Sequence, residues 1–202
     1  MARIAFVLGE DFEDSEFRKQ AQGWVDWSLA VSAVKNKKVD VALELDRIGE
    51  LTHIQRVWVL TETAKLLAKT DRVKASSLLD TATAEARRID GGDLDRPRAL
   101  FAIANALRLV EPARLSEAVF DAVKAANSTE GFTGEGGSIT QMMRSRSFIS
   151  LNPLNVSDFD IEGLFAALAN EDYERAVQFA RGFQGEAARA NATIAIARSV
   201  LR

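Results

Sequence analysis

The chain has no cysteine, one histidine, one tyrosine and three prolines in 202 residues. Without a thiol there is no disulfide, no thiolate metal site and no cysteine nucleophile, and the redox compartment stays open. His53 alone cannot make a zinc site, which needs three or four ligands, so carboxylates would have to complete it. No nucleophile elbow accompanies it for a catalytic triad. Its place in the first turn of a helix suits an exposed or capping role. Neither sign of charge dominates, with 26 Lys and Arg against 29 Asp and Glu and a net charge of -3. That balance lacks the clustered basic footprint of a nucleic-acid binder, and no basic run beside an apolar segment argues for a membrane surface. No apolar run approaches the roughly 18 residues of a membrane span. "IAFVL" (4–8) is too short for a secretory signal and acids follow it at once. The expectation is a cytoplasmic, non-enzymatic protein without a cofactor or metal.

What is present is helix. Apolar and alanine residues recur at helical spacing, as Leu60, Ala64 and Leu67 do on one face. The pattern predicts helices at about 15–34, 38–48, 51–69, 72–90, 95–110 and 113–127. Thr52 with Gln55 has the form of a capping box. Asp95, with Pro97 behind it, is placed to cap the next helix, and Pro112 to open another. Gly49 and the pair Gly91-Gly92 read as stops.

These helices resemble one another. Arg56, Ala64, Leu67 and Arg72 reappear 42 residues on as Arg98, Ala106, Leu109 and Arg114. "RALFAIANAL" (98–107) is echoed by "RANATIAIAR" (189–198), and "DRVKASSLL" (71–79) by "DYERAVQFA" (172–180). A charged turn residue stands four positions before alanine at Lys38/Ala42, Asp71/Ala75, Arg114/Ala118 and Asp172/Ala176. Small side chains let helices approach closely, and alanine has the highest helix propensity. Over roughly 20–127 and 158–202 the chain resembles the tetratricopeptide- and HEAT-like class of alpha-solenoids, and uncharacterised bacterial helical-repeat proteins. The resemblance implies an all-α fold of about nine helices in stacked antiparallel hairpins, with two helices in about 40 residues as the unit.

Residues 128–157 interrupt the pattern, reading as a glycine-rich loop followed by one or two strands or an ordered loop near 132–157, ended by Asn152-Pro153. Ser157 or Asp158 is placed to cap the following helix. "GFTGEGGS" (131–138) approaches a P-loop, but Gly137 stands where the phosphate-binding lysine belongs, and Glu130 and Glu135 would repel phosphate. It reads as a flexible loop. Arg144 and Arg146 are too few, and lack the interleaved aromatics, for a nucleic-acid surface.

The opening "MARIAFVLGEDFEDSEF" pairs a strand-like run with five acids in seven positions, Glu10 to Glu16. Those acids lack the order and central glycine of a calcium loop and instead complement the positive end of a helix starting near Ser15. The segment resembles the N-terminal strand and acidic turn of the DJ-1/PfpI family, whose glutamate matching Glu16 adjoins a nucleophilic cysteine. That resemblance implies a hydrolase or chaperone, but no cysteine exists here and no alternating strands follow to build a parallel sheet. Residues 1–17 are therefore expected to form an arm, with 18–202 the helical-repeat domain. The arm could add to a sheet edge of a neighbouring chain in a structural subunit.

Function is expected to be that of a scaffold binding another protein or itself. Candidate interface residues are Phe6 and Leu8 on the arm, Phe148 on the insertion, and the stripe Trp24, Trp27, Val31 and Val34 on the first helix. A terminal helix of a solenoid has one face without a further repeat to cover it.

Overall fold

The computed structural model describes residues 15–144 and 149–201. Six helices precede the insertion: α1 (Ser15–Lys35), α2 (Val39–Ile48), α3 (His53–Leu67), α4 (Arg72–Arg88), α5 (Asp95–Val110) and α6 (Leu115–Asn127). Two strands, β1 (Ser138–Arg144) and β2 (Ile149–Asn155), form an antiparallel pair in which Met142 faces Leu151. Three helices follow: α7 (Ile161–Glu171), α8 (Tyr173–Arg181) and α9 (Glu186–Val200). The described chain is thus mainly α, with nine helices and one small sheet. None of the described helices is long and apolar enough to cross a membrane.

Local side-chain chemistry accounts for three of the helix starts. Thr52 and Gln55 form the full capping box, with the Thr52 N–H donating to Gln55 Oε1 at 2.9 Å. Asp71 accepts the Lys74 N–H at the start of α4, and Asp172 accepts the Arg175 N–H at the start of α8. Each cap satisfies an amide that has no partner inside the helix. Other starts differ from expectation. The carboxylate at the head of α5 belongs to Asp93, which accepts the Asp95 N–H, while Asp95 sits inside the first turn and pairs with Arg98. Pro112 opens a separate 3-10 turn, Pro112–Arg114, before α6. Asp158 does not cap α7, which starts after Asp160; a 3-10 turn, Ser157–Phe159, intervenes. Pro153 does not end the strand but lies inside β2 opposite Thr140, a place open to proline because this strand borders no further one.

Sequence neighbours pack on each other on either side of the insertion, and alternate helices also meet: α1 on α3, α3 on α5, α5 on α7 and α7 on α9. Two apolar cores result, and α5 is the wall between them. Ala99, Ala102, Ile103 and Ala106 face the first core, with Trp27, Val57, Leu60 and Leu79. Phe101 and Ala104 face the second, with Val119, Phe165, Phe183 and Ala192. Each fully buried large side chain contributes about 1.5–3 kcal/mol. Trp27 meets Trp58 edge-on at 5.1 Å in the first core, and Phe101 joins Phe132 and Phe183 in the second.

The glycine-rich loop is pinned rather than flexible. Phe132 stacks on Phe101, Gly134 C=O accepts the Ile161 N–H, and Gly137 N–H donates to Asp160 Oδ1 at 2.7 Å. The hairpin in turn leans on α1, where the Arg144 N–H donates to Gln20 Oε1. Its inner face carries the buried Ile139 and the half-buried Leu154, whereas Met142, Ile149 and Leu151 are exposed on the outer face.

Candidate functional site

The strongest surface feature is a groove between α6 and α8. On α6, Leu115, Val119, Ala122, Val123 and Ala126 form the buried stripe. Phe120 falls one position off that stripe and is 63% exposed, an unusual place for a phenylalanine. On α8, Ala176 and Ala180 are the buried contacts, and Phe179 is half-buried beside them. Between the two helices lies a gap of about 600 Å³ with Phe120, Val123 and Phe179 as its apolar floor. Asn127 closes one end by donating to Gly182 C=O and accepting the Gln184 N–H, both at 2.8 Å.

The charge along the groove is of one sign. Lys124 and Arg175 line it, together with Ser116, Gln178 and Gln184, and no carboxylate does. Among the described residues, neither cation has an ion-pair partner. A concave apolar floor with two uncommitted cations at its rim is built to receive an apolar side chain flanked by negative charge.

A second cavity, of about 360 Å³, lies where α3, α4, the 89–95 turn and β1 converge. His53 Nδ1 is 2.7 Å from Glu85 Oε2, and Arg88 Nη1 holds the other oxygen of Glu85 at 2.6 Å. Behind them Asp46 is pushed up to about 6, mainly by burial, with Glu85 adding repulsion and Arg56 opposing. Asp95 on the rim is also raised, by burial and by Asp93, against the pull of Arg98. A carboxylate-oriented imidazole has the outline of a general base. Its partners here, however, tie α3 to α4. Of the two hydroxyls that line the cavity, Thr52 is occupied with the Gln55 N–H. No cluster among the described residues could hold a metal ion.

No family model, curated protein or solved structure matches the chain. The sites therefore rest on their own geometry.

The structure distributes the sequence candidates unevenly. Phe6, Leu8, Phe148 and Arg146 lie outside the described residues, as do Glu10, Asp11, Glu13 and Asp14. Trp27 and Val34 belong to the first core, at 1% and 7% exposure, while Trp24 and Val31 are half-buried on the same helix. Glu16 stands on the first turn of α1, where Gln20 donates to it at 3.4 Å. His53 is not merely an exposed cap, because its ring reaches Glu85 on the next helix. The groove residues Phe120, Lys124, Arg175 and Phe179 were not singled out in the sequence. One signal was available: Phe120 breaks the 3-4 apolar spacing of α6.

Proposed function

We propose that this protein is a non-catalytic helical-repeat scaffold of the alpha-solenoid type, which binds a protein segment in the α6–α8 groove. The observation that carries the proposal is the exposed Phe120 on the groove's apolar floor, with Lys124 and Arg175 unpaired at the rim. The occupant is a segment with an aromatic anchor flanked by carboxylates: the ring fills the gap and the acids meet the two cations.

Internal repetition supports the solenoid part. Arg56, Arg98 and Arg189, which correspond in the sequence echoes, each donate to a backbone carbonyl outside their own helix, of Gly49, Gly136 and Phe183 respectively. Asp71 and Asp172 both act as caps, and Ala75 and Ala176, four positions on, are both fully buried. Three helix pairs thus use related residues for related tasks, as stacked repeats do.

The test is fluorescence anisotropy with a labelled peptide carrying one phenylalanine between two pairs of acids. Binding is expected to weaken about tenfold or more in Phe120→Ser and in Lys124→Glu/Arg175→Glu, with circular dichroism unchanged. Equal affinity of the parent chain and both variants would overturn the proposal.

A further inference from the structure

We infer that the groove's natural occupant is residues 10–14 of a second copy of this chain, which would join head to tail. The inference rests on the groove reading above and names its ligand.

The sequence supplies a matching ligand. Residues 10–14 read Glu-Asp-Phe-Glu-Asp, a single ring with two carboxylates on each side. Phe12 has the size to lie against Phe120 and Phe179, and acids on both sides let one contact Lys124 and another Arg175. Two other stretches place an aromatic residue between acids: the fold buries the ring of one, and the other, whose ring is 54% exposed, has its leading acid tied up in a helix cap. Phe159, between Asp158 and Asp160, is buried in the first core at 1% exposure. Tyr173, between Asp172 and Glu174, opens α8, where Asp172 is used as the cap.

Geometry favours a second copy over the same one. Ser15 starts α1, which packs on α2, α3 and β1, whereas α6 and α8 enclose the second core. Three residues of extended chain span at most about 11 Å, which limits how far residue 12 can reach from Ser15. A groove between α6 and α8 and a ligand preceding α1 are different surfaces, so their contact would be heterologous. Such contacts give rings or open chains rather than closed two-fold dimers.

The test uses the full chain and a labelled peptide of residues 8–15. The peptide is expected to bind the full chain carrying Phe12→Ala, and to bind Lys124→Glu/Arg175→Glu about tenfold more weakly. In sedimentation velocity, the full chain is expected to grow with concentration and to shrink with added salt. Phe12→Ala should keep it monomeric with unchanged circular dichroism. A charge swap adds an independent arm: Glu13→Lys/Asp14→Lys should not self-associate, and mixing it with Lys124→Glu/Arg175→Glu should restore assembly. A chain that stays monomeric at all concentrations, or one that assembles equally well with Phe12→Ala, overturns the inference. The acid-flanked phenylalanine peptide of unrelated sequence separates the two levels. If it binds the groove while the 8–15 peptide does not, only the named occupant falls; if neither binds, the groove reading falls as well.

Discussion

The ammonium of Lys65, in the last turn of α3, is held by Asp158, which follows the hairpin 93 positions later in the chain. Glu62 meets the same ammonium at 2.5 Å, and Asn105 of α5 donates to the second oxygen of Asp158 at 2.6 Å. Burial works against the charge on Lys65, but Asp158 and Glu62 outweigh it and hold its pKa above the usual lysine value. This cluster fastens the turn after the insertion to α3 and α5.

Removing one partner weakens the cluster without emptying it, because Lys65 keeps Glu62 and Asp158 keeps Asn105. Lys65→Met is therefore expected to cost about 2 kcal/mol in urea unfolding, and Asp158→Ala a similar amount. The double variant should cost clearly less than the sum, because the two lose one shared interaction. Additive losses would show that the ion pair contributes nothing to the docking of this turn.

Asp46 makes stability depend on pH in the direction opposite to a paired carboxylate. Its folded pKa, about 6, lies above its ordinary value of 3.8, so the folded state binds this proton more tightly. The native fold is then favoured at acid pH and loses stability as pH rises from about 4 through about 6. Two units correspond to on the order of 2–3 kcal/mol. Asp46→Asn should abolish this part of the pH profile and raise the melting temperature at pH 8 relative to the parent, with little difference at pH 4. A profile unchanged by the substitution would place the titration elsewhere.

The capping box at the start of α3 carries a separate expectation. Thr52→Ala removes the hydroxyl that accepts the Gln55 N–H and frees Gln55 from its return bond. A loss of about 1 kcal/mol is expected in chemical denaturation, while Thr52→Ser should be nearly neutral.

Two glycines in one loop should respond differently to alanine. Gly134 has φ +84°, and a Cβ there would lie 2.4 Å from Ile161 Cδ1 in the second core. Gly136 has φ +75° but nothing within 4 Å of the added carbon. Gly136→Ala pays only backbone strain, about 1 kcal/mol. Gly134→Ala adds a core clash and should cost about 2–4 kcal/mol. Equal losses would mean that strain alone, without packing, decides both positions.

Much of the helical layout was legible because helix signals are local. Period, caps and glycine stops act within four residues, so the expected helix at 95–110 matches α5 to the residue. The echo of 71–79 in 172–180 was likewise readable, since both Asp71 and Asp172 meet amides three positions away. Asp158 shows where local reading stops. It carries the chemistry of a cap, but a lysine 93 positions earlier in the chain competes for it, and no local pattern encodes that competition. The loop 131–138 failed for the same reason: its glycines suggest freedom, whereas Phe132 and Asp160 pin it through contacts with distant residues.

The sequence by itself determined the mainly α class, the approximate bounds of the first six helices, the acid-flanked phenylalanine at residue 12 and the lack of any thiol chemistry. Tertiary structure alone decided which aromatic residues are spent on the core and which remain free for a partner. Trp27 lies in an apolar stripe and Phe120 one position off one, yet neither position by itself tells what covers the ring. Burial depends on what other helices cover, and that is set by packing between residues far apart in the chain. Trp58 packs on Trp27, whereas Phe120 stays 63% exposed on the groove beside Lys124 and Arg175.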